Sequence, residues 1–292
     1  GLAGLGLVVS FRAGLFNLGV DGQFLIGGLG ASITGALVAG HLPPLLALLT
    51  AVVGGTIAGG AYGFVPGFLK ARTGAHEVIT TLMLNGVAPN LAFLIVGLLG
   101  IYGPPQIPAV PRISDLPMIR VDYGFVVALA MAVVVSVLLF RTARGFELRA
   151  VGLNRTAARA AGIPPGRTMM LAMSLSGGLV GMGSAFFGLG PAFGLSGGPT
   201  YDMGYVAIAL ALLAGRRPSR VVLAALLYGA LTTGAKSMVV VTGVPLALLT
   251  VIIAFAIVLV AAPELTRSIW RRRPPRPSAG SEANTPVGPA VA

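Results

Sequence analysis

The sequence predicts an all-α, polytopic integral membrane protein, a bundle of about eight to ten transmembrane helices. Of its 292 residues, 55% are hydrophobic, only 10% are charged and 43 are glycine. That composition is typical of chains that cross a bilayer repeatedly. A hydrocarbon core about 30 Å thick needs roughly 20 apolar residues per helix, and the chain contains several runs of about that length.

Prolines, glycines and arginine clusters divide the apolar runs from one another. The first run, before Arg12, is too short to span a bilayer, so we expect the sequence to begin inside a helix and to lack an upstream segment. The runs 202–215 and 220–235 are also short, which indicates tilted, broken or partly re-entrant helices. The predicted spans after the partial first helix are 24–40, 44–68, 77–100, 122–140, 168–189, 202–215, 220–235 and 244–262.

Basic residues between the spans predict the orientation. Placing their clusters in the cytoplasm agrees with one crossing per span and puts most of the 20 Lys and Arg residues inside. The C-terminus is then cytoplasmic. The clusters are Lys70 with Arg72, 141–167, 216–220 and 267–276.

We expect a transmembrane domain over 1–266 and a separate tail over 267–292. Within the domain, 101–121 carries five prolines and predicts an external loop that is not helical throughout. The tail is basic and proline-rich and has no apolar periodicity, so we expect it to be a disordered cytoplasmic segment.

The longest polar loop, 141–167, has the signals of folded structure. Asn154 is a good N-cap for a helix of about two turns, Gly162 suits the left-handed position after it, and Pro164 and Pro165 end it. Capped helices indicate a docked partner, and the loop's small residues would fit a groove on another protein. The alternative is a basic loop lying on the membrane surface.

Polar residues interrupt the apolar sequence at "FNLGVDGQFLIGG", residues 16–28. We expect a turn in the headgroup region on the cytoplasmic side, with Asp21 stabilising a helix N-terminus. This does not account for Asn17 and Gln23, which are candidate groups along a substrate path.

A second polar stripe lies in "HEVITTLMLN", where Glu77, Thr81 and Asn85 share one helix face. Such a stripe should face the bundle interior or a water-filled path, so Thr81 and Asn85 are further path candidates. Hydrogen bonding between helices is the alternative for Asn85. Near the membrane rim, Glu77 can pair with Lys70 or Arg72.

Glycines recur every four residues in the run 44–68. Small residues at this spacing let helix backbones approach closely in a bilayer. The face indicates close packing within the subunit or, alternatively, a dimer seam. Its members are Gly55, Gly59, Gly63 and Gly67.

Several classes of chemistry find no support in the residues. Cysteine is absent, the two histidines are isolated, and no nucleophile with a base or paired carboxylates appears. The stretch "GALTTGAKS" has one residue too many for a phosphate-binding loop and ends an apolar helix. We therefore expect no enzyme, no metal site and no nucleic-acid partner.

Five ordered blocks over about residues 1–262 resemble the permease subunits of bacterial ABC importers, in the simple-sugar and nucleoside branch of the superfamily that also contains branched-chain amino-acid permeases. The blocks are "FNLGVDGQFLIGG", "GAHEVITTLMLN", "RGFELRAVGLNRTAARAAGI", "YVAIALALLAGRRPSRVVLAALLYGAL" and "TGVPLALLTVIIAFAIVLVAA".

The resemblance implies a multi-pass protein of the bacterial cytoplasmic membrane whose loop 141–167 contacts a separate ABC ATPase. ATP and magnesium would bind to that ATPase, and this chain would need no cofactor. The other implied partners are a second permease subunit, as a heterodimer, and an extracytoplasmic substrate-binding lipoprotein. The positions matching the ATPase-coupling motif are Arg144, Gly145, Glu147, Arg149, Gly152, Asn154, Ala158 and Gly162.

On this resemblance the solute is a nucleoside first, a simple sugar second and a branched-chain amino acid third. The rival from another class is an ion-coupled secondary transporter, which would use Asp21 and Glu77 if they are buried. It would not explain the capped loop.

Overall fold

The structure is a computed structural model that describes residues 1–38, 41–99, 112–116, 119–188, 203–215 and 217–242, together with the isolated positions 251 and 255. The predicted all-α helix bundle is confirmed in this part of the chain. Its helices are α1 (Leu2–Arg12), α2 (Val20–Val38), α3 (Pro44–Thr73), α4 (Glu77–Leu99), α5 (Tyr123–Arg141), α6 (Ala143–Leu153), α7 (Arg155–Ala160), α8 (Pro165–Gly188), α9 (Met203–Leu213) and α10 (Pro218–Thr242).

Four of the helices within the described ranges are long and apolar enough to cross a membrane: α3, α4, α5 and α8. They correspond to four predicted spans, although α3 continues to Thr73, five residues beyond its predicted end. Apart from positions 251 and 255, the predicted span 244–262 lies outside the described residues, as does the predicted tail 267–292.

The proline-rich loop contains a short antiparallel hairpin, β1 (Arg112–Leu116) and β2 (Ile119–Asp122). The sequence predicted only that this loop is not helical throughout. In β2 the β-branched Ile119 and Val121 alternate with Arg120 and Asp122, which suits a two-stranded ribbon. Five prolines nearby hid this short pattern.

The glycine face of α3 packs against α8 and α2 of the same chain. A Cβ atom on Gly59 would lie 2.5 Å from the carbonyl oxygen of Gly177, and one on Gly63 would lie 2.5 Å from that of Met173. A Cβ atom on Gly55 would lie 2.9 Å from the carbonyl oxygen of Gly27 on α2. Gly67 continues the face against Met169, Met170 and Met173. These backbones are so close that they leave no room for side chains between them.

The chain breaks between α1 and α2 and turns back into the bundle. α1 ends at Arg12, Gly14 adopts a φ of 70°, and residues 15–19 are not helical. Asn17 then reaches Ser176 of α8, the residue that Gly6 of α1 also touches. Asn17 therefore lies beside the middle of α1.

Ser176 gives the depth of this break. It lies eleven residues after Pro165, the first residue of α8, which is about 16 Å along the helix at 1.5 Å per residue. The prediction of a turn in the headgroup region is therefore wrong for residues 16–19. The turn occurs at Ala13 and Gly14, and the following segment lies near the middle of the bundle because its polar groups find partners there.

The polar loop has the predicted caps. The side chain of Asn154 accepts hydrogen bonds from the backbone N–H groups of Thr156 and Ala157 at the start of α7, and Gly162 has a φ of 81° after its end. Thr142 caps α6 by accepting from the N–H of Gly145. The expected helix capped by Asn154 and Gly162 is confirmed, whereas the Thr142 cap of α6 was not predicted.

The glycine face yields a stability prediction. Gly59→Ala should lower the free energy of unfolding by about 1–3 kcal/mol, the usual cost of overpacking, because its Cβ would meet the backbone of α8. Gly86→Ala on α4 is the matched control, since its Cβ meets nothing within 4 Å. Thermal unfolding in detergent should show a lower midpoint for the first variant only. Equal midpoints would contradict this packing.

Candidate functional site

The candidate site is the break between α1 and α2, whose backbone groups bond to side chains of α4. The N–H of Leu18 donates to Thr81 Oγ1 at 3.2 Å. The side-chain amide of Asn85 both donates and accepts. Its Nδ2 donates to the carbonyl oxygen of Leu18 at 2.8 Å, and its Oδ1 accepts from the N–H of Gly22 at 2.9 Å. The polar stripe of α4 thus replaces hydrogen bonds that a continuous helix would have formed within itself.

A buried amide pair holds the other side of the break. Asn17 Nδ2 donates to Gln23 Oε1 at 2.9 Å and to Ser176 Oγ at 3.0 Å, while Gln23 Nε2 donates to Asn17 Oδ1 at 3.2 Å. Asn17 Oδ1 also accepts from the N–H of Gly19. Asn17 and Gln23 are 0% and 1% exposed, so every bond here lies away from solvent.

The four path candidates are therefore brought together, where they bond to one another or to the backbone of the break. Thr81 is 0% exposed and Asn85 is half-buried. The geometry favours the hydrogen-bonding alternative for Asn85, and it extends the same role to Asn17, Gln23 and Thr81. Their part in a substrate path stays a prediction.

Asp21 joins two helix N-termini at the same depth. It lies in the first turn of α2, and its Oδ1 accepts from the N–H of Gly204 in the first turn of α9 at 2.7 Å. Since α9 has only eleven residues, it extends about 16 Å. Helix N-termini carry partial positive charge, so one carboxylate between two of them is favourable.

Gly204 was not singled out in the sequence, and its contact explains why it is glycine. A Cβ there would lie 2.6 Å from Asp21 Oδ1 and 2.7 Å from its Cγ. Asp21 was expected to stabilise one helix terminus, and the structure gives it two. The shortness of the predicted span 202–215 agrees with the eleven residues of α9.

Glu77 has the ion-pair partner that the sequence suggested. Its Oε2 lies 2.8 Å from Lys70 Nζ, and each side chain is 13% exposed. This pair joins the end of α3 to the start of α4. The Glu77 carboxylate is therefore held at the rim, away from the break.

A second candidate region is the polar loop, and several of its small residues face inward. A Cβ on Gly145 would lie 2.6 Å from the carbonyl oxygen of Leu139, and one on Gly152 would lie 2.9 Å from the carbonyl carbon of Ala13. Ala158 is 3% exposed. These residues seat α6 and α7 on their own chain, so the expectation that they form the contact surface for a partner does not fit their position.

Arg149 also turns inward. Its guanidinium carbon lies 5.3 Å from the ring centroid of Phe140, as does that of Arg12, and its Nε donates to the carbonyl oxygen of Gly145 at 3.4 Å. Among the other coupling candidates, Glu147 is half-buried. The exposed ones are Arg144, Asn154 and Gly162.

The outward face of α6 carries two large apolar residues that the sequence analysis did not select. Phe146 is 59% exposed and Leu153 is 89% exposed. They lie seven residues apart, which is two helical turns, so they share one face. Their seven-residue spacing in "GFELRAVGL" is the signal in the sequence that indicates this face.

Comparison with known proteins gives a consistent result. A family model described as "Branched-chain amino acid transport system / permease component" matches residues 1–262. The guanosine ABC transporter permease protein NupP of Bacillus subtilis is 38% identical over 277 residues, which are 89% of this chain and 77% of the relative.

Two further relatives extend the comparison. The nucleoside ABC transporter permease protein NupB of Lactococcus lactis is 34% identical, over 81% of this chain and 69% of the relative. The glucose ABC transporter permease protein TsgB13 of Haloferax volcanii is 33% identical, over 90% of this chain and 73% of the relative.

The site yields a test of Asn85. Asn85→Leu leaves the carbonyl of Leu18 and the N–H of Gly22 without their partner, which should cost about 1–3 kcal/mol per buried group. Asn90→Leu is the control, because Asn90 is exposed and bonds only to Gly86 on its own helix. Thermal unfolding should distinguish the two variants. An unchanged midpoint with impaired transport would instead place Asn85 in the substrate path.

Proposed function

Since the chain belongs to the family of branched-chain amino acid transport system permease components, we propose that it moves a nucleoside into the cell as the permease subunit of an ATP-driven ABC importer. The observation that supports a nucleoside as the substrate is the similarity to guanosine and nucleoside permeases, at 38% and 34% identity. The break between α1 and α2 suits transport, because such breaks occur where a transporter must rearrange around a solute.

A simple sugar is the second candidate. The glucose permease TsgB13 is nearly as similar, at 33% identity. Nucleosides and sugars share a hydroxylated ring, so related permeases could handle both with the same polar groups. A branched-chain amino acid is the third candidate and rests on the family description alone.

The proposed assembly has four kinds of component. This chain and a second, different permease subunit form the path, a separate ATPase binds ATP and magnesium, and an extracytoplasmic lipoprotein delivers the substrate. In a bacterial cytoplasmic membrane, the basic clusters and the loop 141–167 face the cytoplasm. The exposed apolar residues of α6, flanked by the exposed Arg144, then face the ATPase.

The positions of the two acids count against an ion-coupled transporter. Asp21 accepts a hydrogen bond from the start of α9, and Glu77 pairs with Lys70. Both carboxylates therefore have structural partners. The capped loop also has a use in an ABC importer that it lacks in an ion-coupled one.

The substrate is tested by uptake into vesicles that contain the transporter assembled with its ATPase, second permease subunit and binding lipoprotein. Labelled guanosine should enter only with ATP. Excess unlabelled nucleosides should reduce its entry to background, whereas glucose and leucine should not. Uptake of labelled glucose that guanosine fails to inhibit would contradict the nucleoside proposal and favour the sugar.

The proposed contact between α6 and the ATPase is tested by replacing its two exposed apolar residues, Phe146 and Leu153. Phe146→Ala with Leu153→Ala should weaken ATPase binding by about a hundredfold or more, since each apolar side chain buried on docking contributes about 1.5–3 kcal/mol. Leu223→Ala on α10 is the control, with a side chain 68% exposed. The dissociation constant in detergent provides the measurement. ATPase affinity equal to that of the control would rule out this face.

A further inference from the structure

The loop helix α6 touches the turn that ends α1 without any side chain between them. A Cβ on Gly152 would lie 2.9 Å from the carbonyl carbons of both Arg12 and Ala13. From the other side, a Cβ on Gly14 would lie 3.0 Å from the Cα and from the carbonyl oxygen of Gly152. We call this backbone contact between Gly152 and residues 12–14 the α6 joint.

A shared aromatic ring reinforces the α6 joint. The guanidinium carbons of Arg12 and Arg149 each lie 5.3 Å from the ring centroid of Phe140, at the end of α5. Leu148 and Val151 of α6 are 3% and 1% exposed beside it. The ends of α1 and α5 and the inner face of α6 therefore form one packed unit.

The same turn leads directly into the break. Asn17 follows Gly14 by three residues. The segment between them is attached to α1, because the N–H of Leu15 donates to the carbonyl oxygen of Ser10 and Phe16 stacks on Phe11. Asp21, which meets α9, lies four residues further on. Only this short segment therefore separates the turn from the contact between α2 and α9.

We propose that the α6 joint transmits displacement of the loop helix α6 to the break and, through Asp21, to the contact between α2 and α9. This inference rests on the proposed function, in which α6 contacts the ATPase. Gly14 and Gly152 are positioning residues that touch no substrate.

The physical reason lies in the kind of contact. Side chains between two elements can change rotamer and absorb a movement, whereas two backbones in direct contact must move together or separate. The break, by contrast, is held by individual side-chain hydrogen bonds to α4 and α8, which can be exchanged. A stiff contact on one side of the turn and an exchangeable one on the other would let the break respond to α6.

Gly152→Ala tests the α6 joint, because the added methyl group must push the two backbones apart. In the assembled transporter, we expect guanosine molecules carried per ATP hydrolysed to fall by roughly 2- to 30-fold, the range for substitutions along a coupling network. ATPase binding should be unchanged. The control is Gly166→Ala, whose Cβ meets only the Cβ of Ala71 at 3.4 Å. An unchanged ratio for Gly152→Ala would overturn the proposal.

A second measurement does not depend on the substrate. The chain has no cysteine, so Phe16→Cys, at a position 38% exposed within the break, can report its movement through maleimide labelling. ATP should change the labelling rate with the native joint and with Gly166→Ala, but not with Gly152→Ala. A native joint with no ATP-dependent change, or a Gly152→Ala joint that retains it, would overturn the proposal.

Phe140→Leu covers the case in which Gly152→Ala does not assemble. It removes the ring beneath both guanidinium groups without inserting an atom between the backbones. A reduced ATP-dependent change in labelling would support the proposal, and a full change would overturn it. If the native transporter shows the labelling change but carries no guanosine, the substrate assignment fails while the α6 joint stands.

Discussion

Unpaired backbone groups at membrane depth carry a high energetic cost, and the break between α1 and α2 exposes several of them. Asn85 pairs two of these groups, and Thr81 pairs another. Asn17 adds a further bond within the segment and attaches it to α8. Three features depend on these side-chain partners for backbone groups. α4 lies beside α2, α2 starts near the middle of the bundle, and α2 meets α9.

Two kinds of packing divide the bundle accordingly. α3 and α8 meet through Gly59, Gly63 and Gly177 with their backbones in direct contact, which gives a frame without adjustable side chains. Around the break, contacts are made by amide and carboxylate groups, whose hydrogen bonds can be exchanged one at a time. A transporter that alternates between two states needs both, since a rigid frame gives the moving segment a fixed reference.

Composition and local patterns predicted the helix bundle, the caps of the polar loop and the glycine face, because each depends on residues close in sequence. Asn154 and Gly162 are examples whose role follows from neighbours within four residues. The bond from Gly204 to Asp21 joins residues 183 positions apart, and no local pattern announces it. The polar residues of the break were recognised, but their depth was not, since a headgroup turn and a buried break have similar composition.

The claim that the break is a folded, hydrogen-bonded element is tested most directly by amide hydrogen exchange in lipid nanodiscs. The amides of Leu18, Gly19 and Gly22 each donate to a side-chain oxygen. They should exchange as slowly as amides in the middle of α8, because opening them requires breaking contacts with α4 and within the amide pair. Exchange at the rate of an open loop would contradict the account.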